Sequence, residues 1–328
     1  MRVILRRLQF FVVTLWAAVT LNFALPRLMP GSPMTAVMAR YRGRLSPATI
    51  KAFEIAFNIH PKESLPSQYL DYLDNMAHLQ FGLSIGYFPE PVINVVMQAL
   101  PWTLALAGIT TIIGFILGTF VGMLVAWRRG GLLDTMLTPA FIVLNTVPYF
   151  WVGLIAIYVF AVTGNWLPSS DGYDVTTTNI GLSWSFVWQA FVHSLLPGGT
   201  IIITAIGAWI LTMRNNMIGT LSEDYVRMAR AKGLSPARIM IQYAGRNAIL
   251  PNLAGFAMSL GFVVSGLLLV EIVFNYPGLG NLLLQAVENQ DYPLMQALFL
   301  MITLAVLFAI LLADIANALL DPRTRSGD

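Results

Sequence analysis

Cysteine is missing from the whole 328-residue chain. Its absence excludes a disulfide framework, a thiolate zinc site, an iron–sulfur cluster and a cysteine nucleophile. Charge is scarce too: 11% of residues are Asp, Glu, Lys or Arg, against about 25% in soluble domains. A chain so poor in charge cannot clothe a water-facing surface. With 57% hydrophobic residues it is expected to be an integral membrane protein, a single transmembrane domain over 1–328 with no soluble domain of ordinary size. Lysine occurs three times, and Lys51, Lys62 and Lys232 are followed by Ala, Glu and Gly. A Walker A loop needs Gly-Lys-Ser/Thr, so this chain cannot hydrolyse ATP with that machinery. The three histidines, His60, His78 and His193, lack metal-ligand spacing, and neither G-x-S-x-G nor H-E-x-x-H occurs. Ser265 and His193 therefore stand without support as an intramembrane nucleophile and base. No catalytic, cofactor-binding or metal-binding residue is expected. The net charge of +3 comes largely from arginines flanking apolar runs, a pattern of membrane topology and not of nucleic-acid binding.

What the chain has in abundance is long apolar runs. A bilayer core takes about 20 apolar residues per helix, and six stretches qualify: 8–28, 99–127, 134–162, 191–213, 249–274 and 293–319. Arg2, Arg6 and Arg7 before the first run resemble the start of a signal peptide. The run is too long for one and no A-x-A-type site follows, so a retained anchor is expected. Six spans place both termini on one side. If that side is the cytoplasm, it receives 13 of the 19 basic residues, while the short outer loops at about 164–186 and 275–292 receive none. Both termini are thus expected inside.

The long outer segment, 29–98, carries two helix signatures. "LSPATIKAFEIAFNIHP" offers Ser46 as cap, Pro47 in the first turn and a stop at Pro61; "LPSQYLDYLDNMAHLQFG" offers Ser67 as cap, with Tyr69, Leu70, Leu73 and Met76 at helical spacing. Two short amphipathic helices on the outer membrane surface are expected. Pro139 and Pro148 in the third span and Pro197-Gly198-Gly199 in the fourth are helix breakers, which at membrane depth mark either a water-lined pathway or a packing kink. Gly114, Gly118 and Gly122, at four-residue spacing, permit close helix approach. Asn145, Tyr149 and Trp151 of the third span are candidate lining groups for a pathway, with aromatic packing as the competing role. Glu271 near the outer end of the fifth span and Asp314 near the inner end of the sixth are two of the few ionisable residues within spans. Each is a candidate functional group, and each sits at a depth that also suits a packing role.

The cytoplasmic stretch 214–248 contains "EDYVRMARAKGLSPARIMIQYAGRNAILP". Ser222 can cap a helix whose first turn holds Glu223 and Asp224. Glu223 and Arg227 are four apart; Tyr225, Met228 and Ala229 share a face; Gly233 supplies a stop. Ser235-Pro236 then starts a second helix leading to the fifth span. The expected product is a hairpin whose tip exposes Ala229, Ala231 and Gly233 among the cations Arg227, Arg230 and Lys232, with Leu234 following. Such a tip suits docking into another protein's groove.

This stretch resembles the EAA loop of ABC-type importer permeases, in the longer-spaced form of the dipeptide/oligopeptide/nickel family. The resemblance runs along almost the whole chain, through "LSPATIKAF", "QYLDYL", "FGLSI", "PWTLALA", "VPYFWVGL", "WLPSSDG", "VEIVFNYPGLGNLLLQA" and "LLDPR". The chain resembles the member of the permease pair with the large extracytoplasmic segment. It departs from the family pattern where the naming glutamate would fall, at Arg227, and at Leu79-Gln80, where Gly-Asp is frequent. The resemblance implies an all-α, type I importer permease fold in a bacterial plasma membrane. It also implies a second, related permease, two cytoplasmic ATP-binding subunits that use ATP and Mg, and an extracytoplasmic solute-binding protein. Residues 225–234 (Tyr225, Arg227, Met228, Ala229, Arg230, Ala231, Lys232, Gly233 and Leu234 among them) would contact one ATPase. A peptide-like solute is the first expectation and an oligosaccharide the second, with nickel chelates and glutathione also within the family's range. A secondary transporter or channel without ATPase subunits is the rival class.

Overall fold

The structure, a computed structural model, describes residues 2–28, 64–261 and 267–320. In chain order these form α1 (Arg2–Leu28), α2 (Leu65–Ala77), α3 (Val92–Trp127), α4 (Leu132–Thr146) and α5 (Tyr149–Thr163). Next come α6 (Trp184–Leu221), α7 (Asp224–Ala231) and α8, built from the turns Pro236–Arg238 and Arg246–Ala248 around a π-helical segment, Ile239–Gly245. The last are α9 (Leu250–Gly261), α10 (Leu268–Val273), α11 (Leu279–Glu288) and α12 (Tyr292–Leu320). Among the described residues the only β pairing is an isolated bridge between Leu83 and Pro91.

Among the described residues three helices are long and apolar enough to cross a membrane: Val92–Trp127, Trp184–Leu221 and Tyr292–Leu311. The pair α4–α5 makes a fourth if its two halves are one broken span; α1 and α9 carry shorter apolar stretches, Leu8–Ala24 and Leu250–Leu260. The fifth expected span, 249–274, is described except for 262–266, and the helix expected after Ser46, like Ser265, lies outside the described residues.

Where both can be compared, the helices overrun the apolar windows. α3 begins at Val92, seven residues before the expected start, and keeps Pro101 inside it. α6 extends to 184 and 221 and passes through Pro197-Gly198-Gly199 without a stop. Pro139 likewise sits inside α4. Of Pro139, Pro148 and Pro197, only Pro148 interrupts a helix. Proline disfavours helical backbone at the residue before it; Val147 is extended, with ψ 127°, and the axis bends by 98° between α4 and α5.

The chain divides into two compact units. One comprises residues 1–104 and 277–311. In it α2 rests on the C-terminal end of α1: Phe23 meets Tyr69 edge-on at 5.1 Å and Tyr72 at 5.4 Å between ring centroids. The apolar face of α2 is thus Tyr69, Tyr72, Leu73 and Met76, while Leu70, expected on that face, is exposed. The cap shifts as well, because α2 starts at Leu65 after Ser64, which leaves Ser67 within its first turn. In the same unit Asp291, fully buried, gathers the loop 81–91: Ser84 Oγ donates to its Oδ2, Gly86 N donates to the same oxygen at 2.8 Å, and Leu294 N donates to Oδ1 at 3.2 Å.

The other unit comprises residues 105–276 and 312–328. Its helices approach closely at the spaced glycines. A Cβ on Gly122 would lie 2.7 Å from Ile210 O and 2.8 Å from Met213 Cβ, and one on Gly118 would lie 3.1 Å from Ile206 O. Asn252 of α9, buried, donates through Nδ2 to Thr119 Oγ1 and to Trp209 O, each at 3.2 Å, tying α9 to α3 and α6. Outside the helices, Asp171 is held by Asn275 Nδ2 at 2.6 Å, and His193 Nδ1 donates to Ser170 O at 2.9 Å.

Candidate functional site

The segment after α6 folds into a two-faced element. α6 ends at Ser222, whose hydroxyl donates back to Gly219 O at 2.6 Å. Ser222 therefore closes the preceding helix and is not the cap of α7; that position is Glu223, with no side-chain cap bond. The expected pairing also shifts by a residue, because Arg227 Nη1 meets Asp224 Oδ1 at 3.7 Å, one turn away and exposed.

One face of α7 is buried. Val226 and Ala229, 0% and 2% exposed, pack with Met213 and Met217 of α6, Ala126 of α3, and Ile239, Met240, Ala244 and Ala248 of α8. Residues three apart lie on the same side of a helix, and here that side is the apolar one. Ala229, expected at an exposed tip with Ala231 and Gly233 and on one face with Tyr225 and Met228, is instead a core residue packed between α7 and α6. The opposite face carries Tyr225, Arg227, Met228 (59% exposed), Arg230 and Ala231. Asn247 Nδ2 donates to Tyr225 Oη at 2.7 Å, fixing that ring across from α8. The Arg230 guanidinium lies 5.8 Å from the Trp127 ring centroid, a distance at which the ring quadrupole attracts a cation.

The helix stops as the sequence indicates. Lys232 is the C-cap, and Gly233 follows with φ +71°, a left-handed conformation glycine adopts without strain. A Cβ there would meet nothing within 4 Å, so Gly233 faces open space. Leu234, half-buried, turns back against the apolar cluster. The π-helical segment in α8 carries no sequence signal that we can name.

The second feature is a pocket at the α4–α5 break, with a volume of about 400 Å³. Asn145 and Tyr149 line it, with Thr146, Val147 and Pro148 of the break, Ile201, Thr204 and Ala205 of α6, and Leu267. Trp151 is not part of this wall and stands exposed. Glu271, also absent from the wall, is buried in α10. The pocket is mostly apolar, with an amide, two threonine hydroxyls and a phenol as its polar groups. Thr204 and Ile201 could not be singled out from sequence, since nothing local distinguishes them from other residues of an apolar helix.

A bent helix pair around a pocket, joined through α6 to a two-faced amphiphilic helix, suits a membrane transport component. Residues 114–326 match the family model described as "Binding-protein-dependent transport system inner membrane component". Among similar proteins, one from Sinorhizobium fredii carries the name "Probable peptide ABC transporter permease protein" and is 34% identical over 98% of each chain. A di/tripeptide transport system permease protein of Pseudomonas aeruginosa is 33% identical over 98% of each chain. An oligopeptide transport system permease protein of Bacillus subtilis is 31% identical, again over 98% of each. The chain belongs to this family of inner-membrane components of binding-protein-dependent transporters.

Proposed function

We propose that this chain is one of two permease subunits of an ATP-driven importer of peptides, and that α7 is where it receives work from an ATP-binding subunit. The observation that carries the coupling part is the division of α7: Val226 and Ala229 anchor it, while Tyr225, Arg227, Met228 and Arg230 face outward beside the open Gly233. A solvated basic loop has no need of an anchored back face. Peptide as the solute rests on the three relatives, all named for peptide transport and all aligned almost end to end, and they favour it over an oligosaccharide.

In this reading the chain crosses the membrane six times, with its termini and α7 in the cytoplasm and 29–98 outside. A related permease completes the path, two cytoplasmic subunits bind ATP and Mg, and an extracytoplasmic protein delivers the solute. Asn145 and Tyr149, with Thr204 across from them, form part of the path; the broken span exposes backbone that only a protein-lined cavity tolerates at that depth. Closure of the ATPases displaces α7, and the permease alternates between inward-open and outward-open states because each state contacts the ATPases differently. The test is reconstitution. Vesicles holding the permease pair should accumulate a radiolabelled tripeptide only with the ATP-binding subunits, ATP inside and the binding protein outside. Accumulation without the ATP-binding subunits would place the chain among secondary transporters or channels.

A further inference from the structure

Asp134 and Arg214 form a nearly buried pair eighty positions apart in sequence, their side chains 10% and 19% exposed. Arg214 Nε lies 2.6 Å from Asp134 Oδ1 and Nη2 lies 3.0 Å from Oδ2, a two-point engagement. Gly130 N donates to Oδ2 at 3.0 Å and Thr138 Oγ1 to Oδ1 at 2.9 Å, so the carboxylate accepts four bonds. Paired forks of this kind fix orientation, which a point charge does not.

The pair sits at one end of a longer contact. Seven residues along α4 from Asp134 is Phe141, and seven back along α6 from Arg214 is Gly207. These two touch: a Cβ on Gly207 would lie 3.0 Å from Phe141 O and 3.3 Å from Phe141 Cβ. A further turn on, Asn145 and Thr204 line the same pocket. At 1.5 Å per residue each helix runs about 15–17 Å from the pair to the pocket, antiparallel and in register. In the other direction α6 continues through Met217, which packs under Val226 and Ala229 of α7.

We propose that Asp134 and Arg214 are positioning residues for coupling: they clamp α4 to α6, so that a displacement of α7 carries both walls of the pocket instead of letting α6 slide along α4. The proposal rests on the reading of α7 as the ATPase contact. With the clamp released, ATP is hydrolysed but less of the movement reaches Asn145 and Thr204.

The test uses the complete complex in vesicles, with trialanine uptake and ATP hydrolysis measured on the same preparation. Asp134→Asn and Arg214→Ala should lower trialanine taken up per ATP by about fivefold or more, the lower bound typical of coupling between separate sites. Arg214→Lys, which keeps the charge and loses the fork, should fall between these and the unaltered protein. Uptake and hydrolysis falling in proportion, or an unaltered ratio in Arg214→Lys, overturns the proposal even if the other variants fail to assemble. A second readout needs no solute. Spin labels on Leu133→Cys and Asn215→Cys, in a chain free of other cysteines, should report one narrow distance with and without bound nucleotide, broadened by Asp134→Asn. A nucleotide-dependent shift in the otherwise unaltered chain refutes the clamp. An unaltered complex whose ATPase ignores its binding protein instead refutes the transport reading on which the clamp rests.

Discussion

Replacing Gly122 with alanine should separate α3 from α6, and the structure supplies its own control. The new Cβ would stand 2.7 Å from Ile210 O and 2.8 Å from Met213 Cβ. Carbon atoms pack best at about 3.5–4.0 Å, so the helices must part by roughly 1 Å along a crossing that also includes Gly118. Overpacking of this kind costs about 1–3 kcal/mol. Alanine also favours the helix over glycine by about 0.5–1 kcal/mol, which would blur the reading of a single variant. Gly108, in the same helix, has nothing within 4 Å of its Cβ position. Gly108→Ala therefore gains the helix term alone, and the difference between the two variants isolates the packing cost at about 1–3 kcal/mol. The assay is the temperature at which half of the detergent-solubilised protein loses its monodisperse elution. Gly108→Ala should match or exceed the unaltered chain and Gly122→Ala should fall below it. Equal midpoints for the two variants would refute the close crossing.

Gly233→Trp should insert and fold, since its Cβ meets open space, at a cost of about 1–2 kcal/mol for the left-handed backbone. It should nonetheless lose the ATP-binding subunits on co-purification. Ala229→Leu acts on the opposite side of the same helix, where added carbons meet a filled core; a loss of about 1–3 kcal/mol in thermal stability is expected. Asp291→Ala leaves Gly86 N and Leu294 N without their acceptor, at about 1–3 kcal/mol for the buried Leu294 donor and less for the half-buried Gly86. Limited proteolysis should then cut within 81–91, where the unaltered chain resists.

Composition made the membrane character legible, and the breaker Pro148 placed the α4–α5 break. Helix ends were less legible for a physical reason. At its C-terminal end the apolar window stops where side chains turn polar, whereas backbone hydrogen bonding continues, so α6 keeps "RNNMIGTL" beyond the expected span. Ala229 was misplaced because its size suggested a docking tip. Its spacing from Val226 did not settle the matter, since Met228 and Ala231 are also apolar and three apart yet face outward. Asn145 and Tyr149 were legible as polar or aromatic groups beside a breaker, and they meet at the pocket. Trp151, an aromatic near the same breaker, is exposed, and Glu271, singled out as an ionisable residue in a span, is buried in α10; neither lines this pocket. Asp134 and Arg214 gave no local sign at all, because a pair so distant in sequence is assembled only by the packing of α4 on α6.

The absence of cysteine makes the central claim directly measurable by single-cysteine cross-linking in the assembled complex. Met228→Cys, on the outward face of α7, should be captured by an ATP-binding subunit through a short bifunctional reagent, with the yield changing on ATP binding. Ala229→Cys, one residue along and turned into the core, should not be captured. Capture from position 229 in preference to 228, or from neither, would contradict the account of α7 as the surface that receives work from the ATPase.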